Sequence, residues 1–197
     1  MKRIIVVTDY LFDSKYRKLV YYKAETVYCL LKCLKKLFKF SNVYYAYIFP
    51  IDYADAYITE LAERREWYHF LFIRVLSENN LSDETDELII VTASVVKYER
   101  KGKTFTSYRY DIEVYEILPY KEAVKLSEIT LGNVAFVCHV EITEFSNRIE
   151  VKAYPSKYLE KHWIKKFKSL NELKQFNTIK DLYYYVQEKG KFIERGD

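Results

Sequence analysis

The amino-acid sequence predicts an α/β (α+β mixed) fold. An N-terminal strand–helix–strand unit leads into long antiparallel hairpins, and C-terminal helices cover one face. Three observations carry this expectation. Two short β-branched or aromatic runs flank a long stretch whose apolar residues recur at helical spacing. Beyond the polar stretch 77–87, two pairs of β-branched and aromatic segments are each divided by a short turn. Helical spacing returns from Lys157 onward.

In order, RIIVVT (3–8) reads as a buried strand, and DYLFDS as a loop in which Asp13 or Ser14 can cap a helix. From Lys15 to Phe40 the positions Leu19, Val20, Val27, Leu30, Leu31, Leu34, Leu37 and Phe38 fit one long helix. Its lysines, Lys32, Lys35, Lys36 and Lys39, load the C-terminal end, as the helix dipole favours. NVYYAYIF (42–49) is a second strand, so the unit implies a crossover and parallel pairing. Pro50 stops it; 54–65 reads as a helix, and WYHFLFIRVL (67–76) suits either a strand or a helix.

SENNLSDETDE (77–87) is the best internal boundary in what is expected to be a single domain, 1–197, with a possible division into 1–76 and 88–197. LIIVTASVVKYE (88–99) and TFTSYRYDIEVYEIL (104–118) form a hairpin around RKGK. KEAVKLSEIT is a short helix or loop. VAFVCHVEIT (134–143) and RIEVKAY (148–154) form a second hairpin around EFSN. Pro155 ends it, Ser156 can cap, and helix is expected over 157–173 and again over 179–188, where Gly190 stops the last helix.

Composition limits the function classes. Tyrosine is abundant at 21 residues, while Gly, Pro and Met number 4, 3 and 1. Scarce flexible residues with abundant Lys and Glu suit a heat-adapted protein, and the composition resembles that of hyperthermophilic archaea or their viruses. The net charge of +4 is too small to imply a nucleic-acid partner by itself. Cys29, Cys33 and Cys138 form no CxxC pair, which argues against a zinc ribbon or a disulfide framework. No apolar run is long enough for a membrane span or a signal peptide, so the expected location is cytoplasmic, or inside the host cell if the protein is viral.

The second hairpin holds the sharpest chemical candidate. If EFSN is the loop, Thr143 pairs with Arg148, Glu141 with Glu150, and His139 with Lys152. Two carboxylates then face each other across the ladder, which is unfavourable unless a divalent cation lies between them. An acid, then E-x-K on the next strand (IEVKAY), then a helix, resembles the metal-dependent PD-(D/E)XK nuclease superfamily over residues 134–175. The resemblance implies that Glu141 and Glu150 ligate Mg²⁺ or Mn²⁺, that Glu150 and Lys152 are catalytic, and that Gln175 matches an auxiliary glutamine. The same residues also fit a solvated salt-bridge ladder, because Arg148, Glu150 and Lys152 alternate in sign with Glu141 between the two bases. His139 on a strand and Tyr158 on a helix are similar to the HUH replication-initiator endonucleases, although only one strand histidine is present.

Two basic segments point to DNA or RNA as a partner. Lys157, Lys161, Lys165, Lys166 and Lys168 are interleaved with aromatic residues in KYLEKHWIKKFK, as phosphate contact and base stacking require. There Leu159, Trp163, Phe167 and Leu170 would form the buried stripe of a helix. Arg100, Lys101 and Lys103 make the first hairpin's tip basic. The function expected from these features is nucleic-acid binding or processing, in its sharpest form by a metal-dependent nuclease. The alternatives are a non-catalytic viral or archaeal accessory protein with a protein partner, or a nucleotide-sugar transferase-like enzyme with a site near Asp9 and Asp52 at a sheet edge.

Overall fold

Among the described residues nine strands form one antiparallel sheet, and this overturns the α/β expectation. The structure is a computed structural model that describes residues 2–9, 18–23, 25–50, 86–117, 134–156 and 160–194. The expectations for 54–65, 67–76 and KEAVKLSEIT lie outside these residues. The strands are β1 (Lys2–Asp9), β2 (Lys18–Lys23), β3 (Val43–Pro50), β4 (Asp86–Arg100), β5 (Lys103–Ile117), β6 (Val134–Glu144), β7 (Ile149–Tyr154), β8 (Lys161–Phe167) and β9 (Lys191–Glu194). Their order is β2-β1-β3-β4-β5-β6-β7-β8-β9, and every neighbouring pair is antiparallel. From β3 onward, sequence order and spatial order coincide. The β3–β4 pair, Ile48↔Ile89 through Val43↔Ser94, joins the two halves that the polar stretch separates in sequence.

The long helix expected over 15–40 is two elements. KLVYYK is β2, paired with β1 from Lys2↔Lys23 to Val7↔Lys18. The helix α1 covers only Val27–Leu37, and Thr26 caps it by accepting from the Cys29 amide at 3.3 Å. Leu19 and Val20 fit a helical period, but adjacent Tyr21 and Tyr22 favour a pleated strand. This split also explains the parallel-pairing error. β2 and β3 both run antiparallel to β1 and lie on either side of it, so they are parallel to each other. The crossover through α1 exists, but it begins at β2, and β1 is inserted between its two strands.

The core lies on one face of the sheet. α1 contributes Val27, Leu30, Leu31, Leu34 and Leu37. The strands contribute alternate residues: Tyr44, Ala46 and Ile48; Val91 and Ala93; Tyr110 and Ile112; Val140 and Ile142; Val151 and Ala153. The second helix, α2 (Ile179–Lys189), packs Ile179, Leu182, Tyr183 and Val186 onto the same cluster against β6, β7 and β8. Burying such side chains contributes roughly 1.5–3 kcal/mol each. α2 was legible from sequence. Thr178 and Asp181 close a capping box, with the Asp181 amide donating to Thr178 Oγ1 at 3.1 Å and the Thr178 amide donating to Asp181 Oδ2 at 3.0 Å. Gly190 ends the helix where a Cβ would run into the Val186 carbonyl oxygen and lie 3.0 Å from that of Ile164.

The helix expected over 157–173 is instead β8 followed by a 3₁₀ turn, Leu170–Gln175. Trp163 and Phe167 are four apart, a spacing that suits one helical turn and two strand repeats alike. Pairing with β7, from Ile149↔Phe167 to Ala153↔Trp163, selects the strand. Among the described residues no helix is long and apolar enough to cross a membrane. The three cysteines are free thiols; Cys138 is buried, and burial pushes its pKa up to about 12.

Candidate nucleic-acid interface

The face of the sheet opposite α1 and α2 carries most of the candidate residues. The β6–β7 register differs from the expected one by two residues: Glu141 faces Lys152, Thr143 faces Glu150 and His139 faces Tyr154. The turn is Phe145–Arg148 and not EFSN, because Glu144 stays in the ladder opposite Ile149. A shift of two preserves which side chains share a face but changes which ones meet. The two carboxylates expected to oppose each other are therefore diagonal neighbours.

Each carboxylate is already engaged. Glu141, only 6% exposed, accepts from Arg109 Nη2 and Lys152 Nζ, each at 3.0 Å, and from the Tyr154 hydroxyl at 3.4 Å. Glu150 accepts from Arg148 Nε at 2.8 Å, and Lys166 Nζ lies 3.8 Å away. Arg109 also binds Asp111, which lies 3.6 Å from His139 Nε2. Burial opposes the charge on Asp111, but the His139 and Arg109 contacts outweigh it and hold its carboxyl below the usual range. Burial, followed by the Glu141 charge, pushes Tyr154 up to about 12. Burial and the Lys152 ammonium pull His162 down. The rings of His139, Tyr154 and His162 stack in a row at 5.0 and 5.1 Å. This is the salt-bridge ladder, built across β5, β6, β7 and β8.

Gln175 does not join it. The 3₁₀ turn packs on α1 at the helix-covered face, and Gln175 Nε2 donates to the Glu172 carbonyl at 2.8 Å. Among the described residues no three or more His, Cys, Asp or Glu side chains gather where a metal ion could sit. Two carboxylates do oppose each other elsewhere: Glu87 pairs with Glu116 across β4–β5, and Lys180 of α2 sits 3.1 and 3.4 Å from them. At the far edge, Asp9 pairs with Tyr44, whereas the end of β3, Pro50, pairs with Arg3 at the opposite end of β1. Asp52 lies outside the described residues.

The lysines of 157–168 do not converge. Lys157 and Tyr158 lie outside the described residues. On β8, Lys166 points to the charged face beside Glu150, Lys165 pairs with Val151 on the helix-covered side, and Lys161 binds Glu194 at 3.0 Å. Lys168 is exposed beyond the end of the strand.

The RKGK tip does converge with other groups. Lys101 (φ 52°) and Gly102 (φ 70°) form a two-residue hairpin turn with both central residues left-handed, as the right-handed strand twist prefers. A Cβ at Gly102 would meet nothing within 4 Å, so glycine is needed there for its backbone angle alone. β4 pairs with β3 only as far as Ser94, and β5 with β6 only as far as Tyr108. Residues 96–107 therefore project as a two-stranded ribbon past both described neighbours. The β6–β7 turn points the same way, because alternate turns of a meander share one end of the sheet. Between ribbon and turn lies a cleft of about 430 Å³ lined by Tyr98, Arg100, Lys101, Lys103, Phe105, Ser146, Asn147 and Arg148. Tyr98 and Phe105 pair across the strands with their rings stacked at 5.5 Å. Arg148 lies over the Phe145 ring at 4.3 Å. Among the described residues no carboxylate lies within ion-pair distance of Arg100, Lys101 or Lys103.

Sequence reasoning found the three cations and missed Tyr98, Phe105, Asn147 and Arg148 as their companions. The signal was present. A two-residue turn at Lys101-Gly102 forces Tyr98 opposite Phe105. Neither the family models, the curated proteins nor the solved structures compared with this chain give a match.

Proposed function

We propose that this protein binds nucleic acid through the cleft between the β4–β5 ribbon and the β6–β7 turn. One observation carries the reading: three cations with no carboxylate partner among the described residues share a concave site with a stacked aromatic pair. Cations neutralise phosphates and release counterions, and aromatic faces accept bases. A cation retained at a left-handed backbone position supports the same reading. Lys101 costs roughly 1–2 kcal/mol there relative to glycine's freedom, a strain that a purely structural turn has no reason to keep.

The test is fluorescence anisotropy with labelled DNA and RNA 12-mers over 50–200 mM salt, comparing the wild type with a variant in which Arg100, Lys101 and Lys103 are all alanine. Binding should be salt-dependent, with a slope that falls by roughly 2–3 in the triple variant. Absence of binding, or equal binding by both proteins, would refute the proposal. Cleavage is a separate property. It is tested by adding Mn²⁺ or Mg²⁺ and comparing the wild type with Glu150→Ala; product formed by the wild type alone would give Glu141, Glu150 and Lys152 the nuclease roles.

A further inference from the structure

We infer that the cleft takes one unpaired nucleotide, supplied by a single strand or a looped-out base, and that it disfavours continuous duplex. The inference rests on the nucleic-acid reading above and names the class of substrate. In a duplex the base faces are stacked on one another and only base edges reach the grooves. A ring pair on a cleft wall can therefore engage a base face only when that base has left the stack. Tyr98 and Phe105 form such a pair, half-buried and presented to the cleft from one face of the ribbon. The cleft, about 430 Å³, has the capacity of a small-ligand site.

The opposite wall supplies oriented polar groups. Arg148 is held on three sides: its Nε donates to Glu150 at 2.8 Å, its Nη1 donates to Asn147 Oδ1 at 3.2 Å, and its guanidinium rests on Phe145. A guanidinium fixed in this way presents its remaining N–H groups with little ordering cost, as phosphate binding favours. Asn147 has its carbonyl oxygen occupied by Arg148, which leaves its amide N–H groups to donate. Opposite the ring pair, those donors suit a base edge rich in acceptors. The cations at the tip, Arg100, Lys101 and Lys103, then follow the flanking phosphates. The ladder beyond contributes indirectly, since Glu150 positions Arg148.

The experiment measures affinity for a single-stranded 12-mer and for the blunt 12-base-pair duplex of the same sequence at matched salt, in DNA and in RNA. It uses the wild type, Phe105→Leu, Phe105→Tyr and the triple alanine variant. The wild type should prefer the single strand by about tenfold or more. Phe105→Leu should weaken single-strand binding by about tenfold and duplex binding less than twofold. Phe105→Tyr keeps a ring and should retain the preference, and thermal unfolding of each variant checks that the ribbon remains folded. Equal or tighter binding of duplex, or an equal loss on both substrates with Phe105→Leu, would overturn the unpaired-nucleotide inference while leaving nucleic-acid binding intact. Failure to bind either substrate, or displacement by polyglutamate at equal charge concentration, would overturn both readings, the latter in favour of a general polyanion or acidic-protein site.

Discussion

The two hairpins β4–β5 and β6–β7 carry similar charged residues and use them in opposite ways. In β6–β7, Glu141, Glu150 and Lys152 are all paired, Arg109 and Lys166 from flanking strands complete the ladder, and Arg148 at its end is bound to Glu150 while it also lines the cleft. In the β4–β5 tip, Arg100, Lys101 and Lys103 line the cleft with no carboxylate partner among the described residues. A charge satisfied by its neighbours contributes structure. A cluster of like charges left open leaves its attraction available to something outside the chain. The side chains of the E-x-K motif, chemically the more suggestive in sequence, lie in the paired set.

Four outcomes would break or sharpen this contrast. The largest effect is expected in the ladder. Glu141→Ala leaves Arg109 and Lys152 facing each other without their shared carboxylate, and stability should fall by roughly 2–4 kcal/mol. Urea unfolding would measure the loss, and oligonucleotide affinity should stay within about twofold. A drop in affinity alone would erase the distinction between the hairpins. Next is Lys180→Met, which removes the cation that bridges Glu87 and Glu116. Opposed carboxylates should then cost roughly 1–2 kcal/mol near pH 7, a deficit that shrinks at high salt. A deficit independent of salt would mean that Lys180 acts through packing alone.

Asp111 sets a third, pH-dependent effect. Its carboxyl is depressed on folding, so it stabilises fully above the unfolded value and loses that contribution as pH falls through the folded one. The window is therefore acidic, below about pH 4. Asp111→Asn should flatten this part of the acid limb in unfolding midpoints taken at pH 6, 4 and 3, and an unchanged limb would remove Asp111 from the ladder's energetics. The smallest effect is at the tip. Lys101→Asn suits the left-handed turn and should raise stability by up to about 0.5 kcal/mol. The same change should weaken nucleic-acid binding about threefold. Gains in both properties would show that Lys101 is not held there for binding.

What the sequence revealed depended on how local the signal was. The two hairpins, α2 and the RKGK turn each follow from a few adjacent residues. β2 and β8 were hidden because Leu19-Val20 and Trp163/Phe167 satisfy both the helical and the strand period, and only pairing with β1 and β7 decides between them. The β6–β7 register turned on whether Glu144 belongs to the loop or the ladder, and alternation cannot answer that question. The cleft needs two turns at one end of the sheet, a fact of the whole meander that no window contains. Its cations were visible in sequence, whereas their aromatic partners required the register first.

The insertion of β1 between β2 and β3 has a consequence for how the chain folds. From β4 to β9 each described strand pairs with the described strand before it in sequence, although the segments joining β3 to β4, β5 to β6 and β8 to β9 are longer than the hairpin turns. β1 and β2 can zip together early as a local hairpin, but that unit gains its second neighbour only by docking onto the free edge of β3. β1 is thus made before β3 to β9 and is expected to seat after them. Such docking raises the mean sequence separation of contacts and slows the final step relative to hairpin formation. In pulsed hydrogen exchange, amides of β4 to β7 should gain protection before those of β1.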